Sequence, residues 1–217
     1  MQAACCTKAA CILAKLQGKT NTSMYDPSTV VGKLLKDYWG RNGFDCKFIV
    51  SDTVSPNRKA WARYEEGSNK ATIIISKDYM NNATTLQMAN TIIHEAIHAY
   101  IFAELVLLDP LSYPLKNNKV VYLSPDLDFA SNWDLFCGTN QHEYMAKYSN
   151  TMEIGLKEFI SRNDLGQTFT DEELRYMSWS GLTGTDAYVK NAKDDPTFST
   201  KVHEVLNKMV VVSKECN

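Results

Sequence analysis

Hydrophobic positions along the 217-residue chain change their spacing several times. "AACILAKL" near the start repeats at helical intervals and predicts a short helix. "DPSTVVGKLLKDYWG" predicts a second one. Ser28 is its candidate N-cap, Val31, Leu34, Leu35 and Tyr38 turn inward, and Gly40 and Gly43 end it. Alternation then takes over. "FDCKFIVSD" (44–52) sets Phe44, Cys46, Phe48 and Val50 against mostly polar partners. "KAWARYEE" (59–66) and "KATIIIS" (70–76) follow, and "GSN" at 67–69 joins them in a hairpin-like turn.

Helical spacing returns over about 84–108, with Thr84 or Thr85 as the cap and Asp109-Pro110 as the stop. An irregular stretch containing Pro110 and Pro114 runs to about 138. A second long helix is predicted over about 140–162. A third starts at Thr170, with Glu173 three residues on as a capping-box partner, and a fourth covers about 197–214. Strands gathered ahead of helices predict an α+β chain. A three-stranded or larger mixed sheet packs on the first long helix, and the C-terminal half is mostly helical. The length fits a single domain over 1–217, with a sheet-bearing part at about 21–110 and a helical part at about 111–217.

Composition narrows the function classes. The chain is 44% apolar and 22% charged, ordinary for a globular protein, and its formal net charge is −2. Lys and Arg are interleaved with Asp and Glu, and no basic stripe appears, so no nucleic-acid partner is expected. No apolar run reaches the ~18 residues a membrane span needs, and Glu104 interrupts the most apolar stretch, "AYIFAELVLL". The first twenty residues lack a basic n-region and make no convincing signal peptide, which leaves the compartment open. None of the six cysteines forms CxxC, so mostly reduced thiols are expected and a finger-type zinc site is not.

The chemistry concentrates in "TIIHEAIHAY" (91–100). Residues four apart on a helix project from one face, so His94 and His98 can share an ion. Glu95 lies beside that ion, placed to take a proton from a water the ion polarises and to pass it to a leaving amine. A catalytic zinc needs a third protein ligand. Ile101 and Glu104 stand where the HExxHxxGxxH form needs glycine and histidine, so that form is excluded. His142 opens the second long helix, at the end of a stripe of Met145, Ser149, Met152, Leu156 and Phe159 that faces inward. It is the leading third ligand. A carboxylate (Glu143, Asp134 or Glu153) or His203 remains an alternative.

A strand, a helix carrying HExxH and a downstream helix carrying a further ligand together resemble the zincin metallopeptidases. "TIIHEAIHAYIF" with the later "QHEYMAKY" is most similar to the SprT-like group, over about 70–150. That resemblance implies a zincin-like fold and a zinc peptidase. His94, His98 and His142 would bind Zn2+, and Glu95 would be the catalytic base and acid. It also implies a strand along the cleft that pairs with the substrate backbone. "KATIIIS" is the candidate for it, and an ordinary inner strand is the other reading. Tyr144, Tyr148 and Tyr176 are candidate oxyanion stabilisers, and "MSWSGLTGTDAY" is a candidate wall of the cleft. The expected partner is a protein or peptide substrate. Two other functions stay in view: a secreted or toxin-like protease effector domain of a larger protein, and a catalytically inactive zincin-fold binding module.

Overall fold

Nine residues from Lys8 to Leu16 form helix α1, burying Ala9, Ile12 and Leu16 on one face. The computed structural model describes residues 8–16, 29–38, 45–53, 58–65, 70–107, 113–114, 120–121, 141–163 and 165–209. Helix α2 spans Val30–Tyr38. Its cap is Thr29, not Ser28: the Gly32 N–H donates to Thr29 Oγ1 at 2.8 Å. A threonine one position later leaves the Val31 and Leu34 face buried, as the spacing required. Ser28 itself, and the side chains of Leu35 and Tyr38, lie outside the described residues.

Strands β1 (Asp45–Ser51), β2 (Ala60–Glu65) and β3 (Lys70–Ser76) form a mixed three-stranded sheet in the order β1-β3-β2. β1 runs parallel to β3, and β2 runs antiparallel to it. The "KATIIIS" segment is therefore the central strand, not the edge. Its buried Ala71, Thr72 and Ile73 and its apolar run through Ile75 read as a strand covered on both faces. The edge role beside the long helix falls to β2, and the turn at 67–69 that joins β2 to β3 lies outside the described residues.

Ser76 ends β3 and caps the short helix α3, Lys77–Asn82, by accepting the Tyr79 N–H. Helix α4 follows over Thr85–Leu107. Thr84 starts it through a reciprocal box. Gln87 N–H donates to Thr84 Oγ1 at 3.2 Å, and Thr84 N–H donates to Gln87 Oε1 at 2.9 Å. The Pro110 stop lies outside the described residues. α4 packs against β2 and β3 on one side and α1 and α2 on others. Ile92, Ile93, Ala96, Ile97 and Ile101 are fully buried along it. Strands β4 (Tyr113–Pro114) and β5 (Val120–Val121) form a separate two-stranded pair in the stretch expected to be irregular.

The second long helix is segmented. Gln141–Met145 is α5, a 3₁₀ turn covers Ala146–Tyr148, and α6 runs Ser149–Arg162. Its inward stripe holds, with Met145, Met152, Leu156 and Phe159 buried. Helix α7 (Asp171–Met177) carries the predicted Thr170–Glu173 capping box. Helix α8 (Asp186–Asp194) was not anticipated. Helix α9 spans Phe198–Lys208, and the rest of the helix expected to about 214 lies beyond 209, outside the described residues. One buried cluster joins α1, the sheet, α4, α6, α7 and α9. Among the described residues, no helix is long and apolar enough to cross a membrane.

Cys46 is buried and forms no disulfide, while Cys11 is disulfide-bonded to a cysteine outside the described residues. Cys11 thus departs from the expected reduced state.

Candidate metal centre

α4 can be apolar on most sides because the sheet and four helices surround it, so its few polar groups need partners of their own. His94 and His98 lie one turn apart with their Nε2 atoms 3.1 Å apart and ring centroids 4.7 Å apart. α5 brings His142 against both. Its ring centroid lies 5.7 Å from that of His94 and 5.3 Å from that of His98. One nitrogen from each ring falls within a 4.8 Å group, the only set of three or more His, Cys, Asp or Glu ligand atoms so placed among the described residues. Donors about 2.0–2.1 Å from a tetrahedral ion stand roughly 3.3 Å apart, close to the His94–His98 spacing.

Burial sets the charge state. It lowers the His94 imidazole to about 3; the charge of His142 and, less, of Lys59 push the same way, and a hydrogen bond to the Ser180 carbonyl opposes them. Burial also holds His98 well below 6.5, helped by His94 and His142, and lowers His142. All three rings are therefore neutral at neutral pH, the form that ligates a metal. Burial raises the Glu95 carboxyl to about 8, against the lowering effect of a hydrogen bond from the Ala62 backbone N–H. Among the described residues, Glu95 Oε2 and His98 Nδ1 are buried and have no partner. Three convergent imidazoles, with such orphaned atoms on the helix that carries two of them, fit a site made for a cation.

The turn after α7 closes the far side. Bonds from Ser180 N–H to the Met177 carbonyl and from Leu182 N–H to the Trp179 carbonyl, each 3.0 Å, fold it. Gly181 adopts φ +82°, and a Cβ there would lie 2.7 Å from His94 Cε1. Only glycine suits both the conformation and the approach. With Nε2 facing His98, His94 Nδ1 is the nitrogen left to donate to the Ser180 carbonyl, which fixes the tautomer. Of the candidate wall "MSWSGLTGTDAY", Ser180 and Gly181 lie against His94. The sequence reading named the segment without singling out these two residues, and Ala62 on β2 escaped it.

The other candidates have other employment. Glu143 Oε1 accepts the Asp186 N–H at 2.6 Å, tying α5 to the start of α8. Glu153 lines a cleft between α6, α7 and α8 together with Arg175 and Trp179. His203 is exposed on α9, and Asp134 and the Tyr144 side chain lie outside the described residues. The Tyr148 ring packs edge-on against Tyr100 at 5.5 Å. The Tyr176 hydroxyl donates to Glu172 Oε1 at 3.0 Å and accepts from Lys201 Nζ at 3.1 Å, so its hydrogen bonds are spent away from the histidines.

No family model matches the chain, and no curated protein and no solved structure does either.

Proposed function

We propose that the chain is a zinc-dependent peptidase of zincin-like architecture, with His94, His98 and His142 holding the ion and Glu95 acting as general base and then acid. The observation that carries this is a buried Glu95 carboxyl, with one oxygen unpartnered among the described residues, one position along α4 from the first of three convergent neutral imidazoles. A binding site built only to hold an ion has no use for that carboxyl. A zinc ion held there supplies Lewis-acid polarisation, brings the pKa of a water beside it to about 7 and draws Glu95 to its ionised form.

The chain's own residues do the rest. Glu95 accepts a proton from the attacking water and delivers it to the amine nitrogen as the peptide bond breaks. The Ala62 N–H holds one Glu95 oxygen, so the carboxylate cannot rotate freely. The Ser180 carbonyl keeps His94 in one tautomer. β2, the strand edge beside Glu95, offers backbone groups to an extended substrate, as strand addition requires.

The disulfide at Cys11 favours one version of this reading, a protease that works in an oxidising compartment, as a secreted effector does.

Purified protein should carry about one zinc per chain. Glu95→Gln should keep that zinc and the fold and lose peptide hydrolysis by several orders of magnitude. Near-normal turnover in this variant, or no zinc taken up by wild type, overturns the proposal.

A further inference from the structure

Among the described residues, β2 has two faces and one open edge, and each has a different composition. Ala60 and Ala62 stand opposite Ile75 and Ile73, which are 1% and 0% exposed, so they face α4. Trp61 and Arg63 point the other way, whereas the Lys59 ammonium lies 5.8 Å from the centroid of the Tyr79 ring, whose hydroxyl bonds Thr91 of α4. Arg58, Trp61 and Arg63 are exposed. The Arg58 guanidinium lies 5.2 Å from the Trp61 ring centroid. Among the described residues, no carboxylate pairs with Arg58, Lys59 or Arg63. The chain's net charge is −2, so these cations stand out locally and not through a basic molecule.

Backbone parity decides what the edge presents. Ser76 N–H donates to the Lys59 carbonyl at 3.0 Å. In an antiparallel pair such bonds recur at every second residue, so Lys59, Trp61 and Arg63 turn their peptide groups to β3. Ala60 and Ala62 turn theirs to the open edge, and the Ala62 N–H does reach Glu95. A strand added at that edge sets alternate side chains on the outer face, beside Arg63 and beside Trp61 with its Arg58 guanidinium. Neighbours across such a pair lie about 4.5–5.5 Å apart, close enough for charge to select them.

We propose that the substrate is an acidic extended peptide, with Asp or Glu at the position beside Arg63 and an apolar residue two positions away against Trp61, where the Arg58 guanidinium adds a second cation. That a peptide occupies this edge rests on the peptidase reading, whereas the charge preference rests on the face of β2 alone. A nucleic acid could meet the cations, but it has no peptide groups for the Ala60 and Ala62 edge.

The test is fluorescence anisotropy with zinc-loaded Glu95→Gln protein and labelled peptides of about ten residues that carry Glu or Lys at every fourth position and valine elsewhere. The Glu peptide should bind roughly three- to tenfold tighter than the Lys peptide. The gap should shrink at about 0.5 M salt and reverse in Arg58→Glu/Arg63→Glu, with Arg63→Gln as a milder check on folding. Equal binding of the two peptides, a preference the reversal leaves unmoved, or tighter binding of a labelled single-stranded oligonucleotide overturns the inference. Wild type that cleaves neither peptide while the preference persists counts against the peptidase reading alone. Wild type that cleaves both equally well counts against the charge preference alone.

Discussion

At the scale of single residues, His94 carries the most constraints. It meets His98 and His142 on one side and the Gly181 turn on the other. Two glycines of positive φ separate the effects of strain and contact. Gly166 has φ +64° and open space around its Cβ position, while Gly181 points at the imidazole. Gly166→Ala should cost about 1 kcal/mol of stability and leave zinc affinity unchanged. Gly181→Ala should cost at least as much and also weaken zinc binding roughly 10- to 100-fold. Chelator-competition titration beside a denaturant melt separates the two. Equal zinc affinity in both variants would mean that the turn does not position His94. The sequence announced His94, Glu95 and His98 because helical spacing is local and readable. His142 was reachable through the inward stripe it heads. Ser180 and Gly181 were not, because their role depends on a turn that meets α4 only in three dimensions.

Among the elements, α4 shows how a cap can do two jobs. Thr84 closes the capping box with Gln87, and its hydroxyl also donates to the Met209 carbonyl at 2.7 Å. Thr84→Ala removes both and should destabilise the protein by about 1–2 kcal/mol in a denaturant titration. A midpoint unchanged from wild type would show that other contacts set the start of α4. α4 itself was legible to within a residue at each end, as were the three strands. The order of the strands was not. The continuous apolar run at Ile73–Ile75 already marks β3 as an inner strand, whereas the alternation of Ala60, Ala62 with Trp61, Arg63 marks β2 as half-exposed. Taking the cleft strand from the family resemblance hid that contrast. Helix α8 was missed because only nine residues, Asp186–Asp194, carry it and their mean polarity is high. Its Thr185 cap, which accepts the Tyr188 N–H at 3.1 Å, was the available clue.

Across the whole molecule, two kinds of buried group oppose each other in pH. His94 titrates near 3 in the folded metal-free chain and near 6.5 when unfolded, and His98 shifts in the same direction. Below about 6.5 the unfolded chain binds protons that the folded chain refuses, so stability falls as the medium turns acid. Glu95 is raised from 4.5 to about 8. Between those values the folded chain keeps a proton that the unfolded chain gives up, so stability falls as pH rises toward 8. In the overlap the histidines outweigh the single carboxyl. Metal-free protein should therefore be most stable near about pH 6.5, with lower denaturant midpoints near pH 5 and near pH 8. Midpoints flat across that range would contradict neutral buried imidazoles beside a protonated Glu95.

The Ser180–Gly181 turn has a further consequence for the order of events in the cell. The two helix-borne histidines leave the ribosome first, His142 follows, and the turn that fixes His94 comes last, from the C-terminal part of the chain. A nascent chain halted between them holds two loose imidazoles and no walled site. A metal site of the proposed kind is thus complete only once the C-terminal turn has been made.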